Sequence, residues 1–388
     1  MNRKVLFIIS NMETGGVSKS MTSLMNVIDR DRYDVALMIV DPSGALMELL
    51  PPDLRLITNP VWSALTSKLA GFFKLIKMGK IGLAVGHLVR LGISLFSKAK
   101  AGQMIAHLMP GIDEEFDTIV DFNGQQQLYY MIDKLHARKK ITFFHNDYKK
   151  WPYYYKADKK YFSKVDSVWT ISEVCADSLR DVFPEYAQKV RVMGNISSPV
   201  LINQLASQNQ PSEMNMNIPS IISLGHACER KGTHWAIEAA SILKKEGLVF
   251  NWYFIGANPG KERFDAMRQH LDVDDRVHFL CIKTNPYPYL KAATMVAHPA
   301  QYEGKSIALD EAKLLCKPIV ATNFSTVKDQ FVDRHNATIC EMNPQSLANA
   351  IKEMLVNEPL RKQYSSILQK ERKDNTDEIK KLYCVLDK

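Results

Sequence analysis

The sequence predicts an α/β protein built from two doubly wound parallel sheets, and three observations carry that prediction. The 388 residues suffice for two domains of ordinary size, each with its own core. Short apolar runs alternate strictly with amphipathic helical stretches in the second half, and a similar alternation runs through the first. Between the halves lies "SQNQPSEMNMNIPS" (207–220), polar, bounded by proline and without periodicity.

In chain order, the strands expected in the first half are "KVLFIIS", "YDVALMIVD", "LRLI", "TIVDF", "KITFFHN", "SVWTIS" and "KVRVMG". Those of the second half are "SIISLG", "VFNWYFIG", "RVHFLC", "MVAHPA", "KPIVAT" and "ATIC". "THWAIEAASILKKEG", "KERFDAMRQHL" and "PQSLANAIKEMLVN" supply helices between or after them. The expected division is a first domain over 1–198, a linker over 199–219 and a second domain over 220–374. The tail 375–388 is expected to return to the first domain. Two such lobes facing a cleft are the natural architecture, and ligands bind beyond the carboxyl ends of the strands.

Composition narrows the function classes. With 46% hydrophobic and 24% charged residues, the chain has the balance of a soluble globular protein. The apolar run of residues 1–10 stops at Ser10-Asn11 without a small-residue cleavage pattern, so it reads as a first strand rather than a signal peptide. Six scattered cysteines without a C-x-x-C pair suit a reducing cytosol and argue against a zinc site or disulfide framework. Asn195-Ile196-Ser197 has glycosylation spacing but, with no secretory signal, is read as chance.

The net charge of +8 is local. Between Leu54 and Ile112 there is no acidic residue, while Arg55, Lys68, Lys74, Lys77, Lys80, Arg90, Lys98 and Lys100 fall in the same span. Their interleaving with Leu, Ile, Phe and Gly does not resemble a base-stacking platform, so nucleic acid is not an expected partner. The basic helical span 60–110 is too interrupted by charge for a transmembrane helix. It is expected to meet an anionic membrane surface, apolar side chains in the interface and cations on headgroups. The plainer alternative is a set of helices covering the sheet with solvated lysines outward.

Three loops at carboxyl ends of expected strands carry the candidate chemistry. In "NMETGGVSKS", Gly15-Gly16 lets a ligand approach the backbone ahead of a helix. It is not the G-x-G-x-x-G of dinucleotide binders. In "GHACERKG", Lys231 stands just before Gly232 and a helix start, where a cation can neutralise a phosphate that caps the helix. In "YEGKSIALDEA", Gly304 and the backbone of Ser306, Ile307 and Ala308 form a helix N-terminus suited to an anion. Glu303 lies just outside that helix, and Glu311 lies two turns in, about 80° around the axis. Two carboxylates flanking an anion seat suit a ligand with hydroxyls at both ends, such as a sugar joined through a diphosphate to a ribose.

Glu303 and Glu311 in "EGKSIALDEA" resemble the E-x7-E motif of retaining GT-B glycosyltransferases of the large family four, the glycosyl transferases group 1. "NPYPYLKAATMVAHPAQ", "KPIVAT", "GGVSKS", "SLGHACERKGTHWAIEAA" and "SVWTISE" are similar to its capsule and surface-polysaccharide members. The resemblance implies a GT-B fold with an acceptor-side first domain and a donor-binding second domain. It implies transfer from a nucleotide-diphospho-sugar, a UDP-sugar, to a saccharide acceptor, lipid-linked at the inner face of the cell membrane. Glu303 would contact the donor sugar, Glu311 the ribose, and Lys231 the diphosphate, with backbone help at Gly16 and at Ser306 to Ala308. His145, in "FFHND", matches a histidine beside the donor sugar, and packing alone is its alternative reading. His226 departs from the family, which has arginine there, and a histidine is only partly charged near neutral pH. No cofactor or metal is expected, since "DVDD" (272–275) precedes a strand. A nucleotide-sugar epimerase and a catalytically weak sugar-nucleotide-binding scaffold are the alternative functions.

Overall fold

Strands whose residues are apolar on both faces must be covered on both sides, which is the situation of a parallel sheet between helices. The computed structural model, which describes all residues except 1, 14, 151–153, 209–210 and 373–374, realises this twice. The chain forms two compact units, 1–196 with 377–388, and 197–376. All thirteen expected runs form strands.

The first unit holds β1 (Arg3–Ile9), β2 (Tyr33–Ile39), β3 (Arg55–Ile57), β4 (Glu115–Asp121), β5 (His136–Phe144), β6 (Ser167–Thr170) and β7 (Val190–Val192). They pair in parallel in the order β3-β2-β1-β4-β5-β6-β7. Leu6 and Ile8 face one apolar core, while Val5, Phe7 and Ile9 face the other, as the two-residue period of a strand requires. The C-terminal helix Ile379–Leu386 buries Ile379, Leu382 and Leu386 in the second of these cores beside Leu24 and Met25. Tyr33 fixes its end by donating to Asp387 at 2.5 Å.

The second unit holds β8 (Ser220–Leu224), β9 (Asn251–Ile255), β10 (Val277–Phe279), β11 (Met295–His298), β12 (Ile319–Thr322) and β13 (Thr338–Cys340). Their parallel order is β10-β9-β8-β11-β12-β13. In each sheet the strand order reverses once, between β1 and β4 and between β8 and β11. Such a reversal opens a crevice at the carboxyl ends of the two strands.

Two expectations need correction. Part of the segment read as linker is helical: Pro199–Ala206 forms a helix capped by Ser198, whose side chain accepts from the Leu201 amide at 3.3 Å. Burial of Ile202, Leu205 and Ala206 gives it an apolar face that the polar sequence around it conceals. The basic span folds as four helices, Pro60–Thr66, Ala70–Lys77, Ile81–Ser94 and Lys98–Leu108, and Arg90 is not one of its outward cations. Arg90 is buried and donates from Nη2 to the carbonyls of Leu65 (2.8 Å) and Ser67 (3.0 Å). Buried His87 donates from Nε2 to the Lys68 carbonyl at 3.0 Å and accepts from Arg90 at Nδ1. The last carbonyls of a helix have no partner within it, and here two side chains from another helix supply the donors.

Lys68, Lys74, Lys77, Lys80, Lys98 and Lys100 remain exposed. So does an unusual amount of apolar surface: Phe73, Ile81, Val85 and Val89 are each at least half exposed, and Leu95 and Phe96 are 81% and 92% exposed. Among the described residues no helix is long and apolar enough to cross a membrane. Arg90→Leu would leave two buried carbonyls without their charged donor. It should destabilise the first unit by roughly 1.5–3 kcal/mol, read as a lower urea midpoint; an unchanged midpoint would refute the capping role.

Candidate active site

The second unit brings two of the three loops together at its strand reversal. After β8 the chain turns through Glu229–Lys231 and enters the helix Thr233–Lys245 at Gly232. Gly232 is left-handed (φ +66°), and a Cβ there would lie 1.8 Å from the Pro299 carbonyl oxygen, so only glycine lets this loop close onto the one after β11. The Gln301 amide then donates to the Arg230 carbonyl at 2.9 Å, joining the loops directly.

That closure places Lys231 against Glu303, with Lys231 Nζ donating to Oε1. Arg230 Nη1 lies 3.3 Å from Oε2, and buried His298, the last residue of β11, has Nε2 at 3.5 Å from Oε1. Burial raises the carboxyl's pKa, but Lys231, the His298 hydrogen bond and Arg230 together hold it well below the usual carboxylate range. Glu303 is therefore ionised. His298 is pushed below the ordinary histidine value, mainly by burial, and is neutral at physiological pH.

The loop then enters the helix Ile307–Leu314 through Ser306, whose Oγ accepts from the Leu309 amide and lies 3.2 Å from His298 Nε2. Gln330 grips Ser306 on both sides, accepting from its amide at 3.0 Å and donating to its carbonyl at 2.9 Å. Ser306 thus departs from the expected set of amide donors, because its N–H is already engaged. Among the described residues no acceptor meets the N–H groups of Ile307 and Ala308, which stay available at the positive end of the helix. Gly304 is buried in the connecting loop.

Glu311 is buried on the same helix, and Tyr287 donates to its Oε1 at 2.8 Å. Burial and the adjacent carboxylate push the Tyr287 hydroxyl well above its ordinary value, so it serves as a donor only. His226 is exposed at the start of the loop after β8. Among the described residues no three or more His, Cys, Asp or Glu side chains gather in a way that could hold a metal.

In the first unit, Gly15 caps the helix Gly16–Val27 with an ordinary extended backbone, and a Cβ there would meet nothing within 4 Å. The missing side chain therefore leaves space in front of the helix rather than relieving strain. Fully buried Asp121 ends β4 and accepts from Thr142 (2.6 Å) and the amides of Asn123 and Gly124; burial still pushes its pKa up to about 7. His145 follows β5, its ring 4.8 Å from Phe122 and 5.8 Å from Phe143. Burial pushes it down to about 4, and its buried Nε2 has no hydrogen-bond partner among the described residues. A neutral imidazole with an unused nitrogen can still take a ligand hydrogen bond.

Sequence reasoning named Lys231, Glu303 and Glu311 but missed Arg230, His298, Gln330, Tyr287 and Asp121. Tyr287 and Asp121 had a visible signal, a tyrosine inside "NPYPY" and an acid ending an apolar strand. Gln330 had none.

Residues 206–371 match the model of the family described as glycosyl transferases group 1. The lipopolysaccharide glucosyltransferase WaaG of Escherichia coli is 24% identical over 143 residues, 36% of this chain and 38% of that one. The putative colanic acid biosynthesis glycosyltransferase WcaL of the same organism is 27% identical over 142 residues, 34% of each chain. A Campylobacter jejuni N-acetylgalactosamine-N,N'-diacetylbacillosaminyl-diphospho-undecaprenol 4-alpha-N-acetylgalactosaminyltransferase is 26% identical over 148 residues, 38% of this chain and 40% of that one. The chain thus spans well under half the length of each of these relatives. Among solved structures, Anabaena HepE in complex with UDP and glucose superposes with a TM-score of 0.71 at 15% identity, covering 100% of both chains. Staphylococcus aureus TarM gives 0.71 at 14% identity over 100% of this chain and 99% of that one. These likenesses establish the GT-B fold.

Proposed function

We propose that this chain, whose residues 206–371 match the model described as glycosyl transferases group 1, is a retaining glycosyltransferase. It moves a sugar from a nucleotide-diphospho-sugar to a saccharide acceptor in surface-polysaccharide or glycoconjugate synthesis. The observation that carries this reading is the meeting of Lys231 with Glu303 at the β8/β11 reversal, beside the free amides of Ile307 and Ala308. A cation and two unclaimed N–H groups suit a diphosphate, and carboxylates at Glu303 and Glu311 suit hydroxyls on either side of it. The UDP in the HepE complex supports a UDP-sugar as donor.

In this mechanism the bond between the sugar's anomeric carbon and the diphosphate oxygen breaks as the acceptor oxygen bonds the same carbon from the same face. The acceptor's proton passes to the departing phosphate oxygen. Lys231 and the helix amides stabilise the charge that develops on that oxygen, which is the main catalytic contribution, and no metal is required.

The acceptor we propose is lipid-linked, as the name of the Campylobacter relative says of its own, and the protein works in the cytoplasm on the inner face of the membrane. The exposed apolar and cationic helices within 60–110 support this, since such a face suits an interface with anionic headgroups.

Glu311→Ala should weaken donor binding by roughly 1–3 kcal/mol, while Glu303→Ala should lower turnover more than binding. Formation of a glycosidic bond from labelled donor is the assay. Undiminished activity in both folded variants would overturn the site.

For the membrane face, binding to anionic vesicles should fall with salt and with Lys74, Lys77 and Lys80 changed to glutamate, at about 1 kcal/mol for each cation near the surface. Equal binding to neutral vesicles, or none to either, would overturn this part and favour a soluble acceptor.

A further inference from the structure

On the flank of the helix Ile307–Leu314 that carries Asp310, Lys313 and Leu314, the second unit holds a cavity of about 210 Å³. Neither Lys231, Glu303 nor Glu311 lines it. Gln330 stands between this cavity and the helix N-terminus, its side-chain amide donating to Asp310 at 2.8 Å and to the Ser306 carbonyl at 2.9 Å. The wall carries three cations, Lys305, Lys313 and Arg372, and three carboxylates, Asp310, Asp329 and Glu371. The carboxylates are mostly engaged. Glu371 has His335 and Asn336 at 2.7 Å each, Asp310 Oδ1 takes the Gln330 bond, and Asp329 is exposed.

The ammonium groups are not engaged in this way. The Lys305 side chain is only 20% exposed, yet among the described residues its Nζ makes no hydrogen bond. Its nearest partner is Asp310 Oδ2 at 3.7 Å, beyond hydrogen-bond range. Oδ2 is itself buried and has no hydrogen-bond partner among the described residues. Lys313 Nζ reaches the Gln330 carbonyl at 3.4 Å, a long contact. A largely buried ammonium and a buried carboxylate oxygen that face each other without bonding each forgo a hydrogen bond that water would have supplied. A third group seated between the lysines and Asp310 restores both.

We propose that this cavity is a binding site for hydrogen phosphate, free or as a phosphate monoester. The occupant has to accept from two ammonium groups and donate to one carboxylate oxygen. Phosphate does both, because its second pKa of about 6 leaves a proton on part of the population near neutral pH. Sulfate carries no such proton and would set a bare oxygen against Asp310 Oδ2. Lys305, held by no hydrogen bond, turns toward the anion, which opens Oδ2 to the phosphate O–H. That O–H···O⁻ contact is charge-assisted, as are those from the lysines. The volume is below the roughly 300 Å³ at which sites for drug-sized ligands begin, so it suits a small anion rather than a nucleotide sugar.

Calorimetric titration of the full chain with inorganic phosphate, sulfate and glycerol 3-phosphate tests this. Phosphate should bind at least about tenfold more tightly than sulfate, as for one charge-assisted hydrogen bond gained. Lys305→Gln should weaken phosphate by about tenfold, and Asp310→Asn should bring phosphate and sulfate within about twofold of each other. Lys231→Gln, outside the cavity, should leave phosphate binding within about twofold, which separates this site from the Lys231–Glu303 cluster. Melting temperatures establish that the variants fold. Tighter binding of glycerol 3-phosphate than of phosphate identifies an ester as the ligand, and the reverse order identifies the free ion. Failure of both phosphates to bind, equal binding of phosphate and sulfate, or phosphate binding lost with Lys231→Gln but kept with Lys305→Gln overturns the assignment. The site does not depend on the nucleotide-sugar reading, which titration of the same protein with UDP tests separately.

Discussion

The pairing of Lys231 with Glu303 is the interaction on which the second unit's arrangement turns. It forms between two loops that leave the sheet on opposite sides of its strand reversal, so it can exist only if those loops close on each other. Gly232 permits the closure, and the hydrogen bond from Gln301 to Arg230 fixes it. Removing two charges from water is unfavourable unless further partners compensate. Arg230 and His298 provide that compensation on the carboxylate side. The cluster is thus held ready but not fully neutralised, a condition that favours binding of an anion.

Around this pairing the second unit fixes its polar groups from behind. Gln330 holds the Ser306 backbone through both its amide and its carbonyl and also donates to Asp310 at 2.8 Å. Tyr287 orients Glu311 from a separate helix. Ser306 and Glu311 are therefore each positioned by a side chain that does not itself carry chemistry, and groups fixed in advance need not reorganise as charge develops. The amides of Ile307 and Ala308 are the exception. Among the described residues they are left without acceptors, because the residue before them is clamped and the helix beyond them is regular.

The sheets, the loops at their carboxyl ends and the three principal charged residues were legible in the sequence because each follows from a local pattern: apolar runs, glycine before a helix, a fixed spacing of acids. Arg90 was misread for the opposite reason. Its placement depends on unpaired carbonyls at the end of a different helix, which no local pattern reveals. The helix Pro199–Ala206 went unread beside the polar run 207–220, since it is short and only Ile202, Leu205 and Ala206 give it a buried face. Gln330 lies twenty-four residues from the backbone it grips, and nothing local marks Arg230 in "GHACERKG", because its partner Glu303 comes from the loop after β11.

The most direct measurement is a crystal structure of the protein with a bound UDP-sugar. The diphosphate should lie within hydrogen-bond distance of Lys231 Nζ and the amides of Ile307 and Ala308, with Lys231 drawn away from Glu303 and the Glu303 carboxylate on the sugar. A nucleotide bound elsewhere, with the Lys231–Glu303 pair intact and those two amides unoccupied, would contradict it.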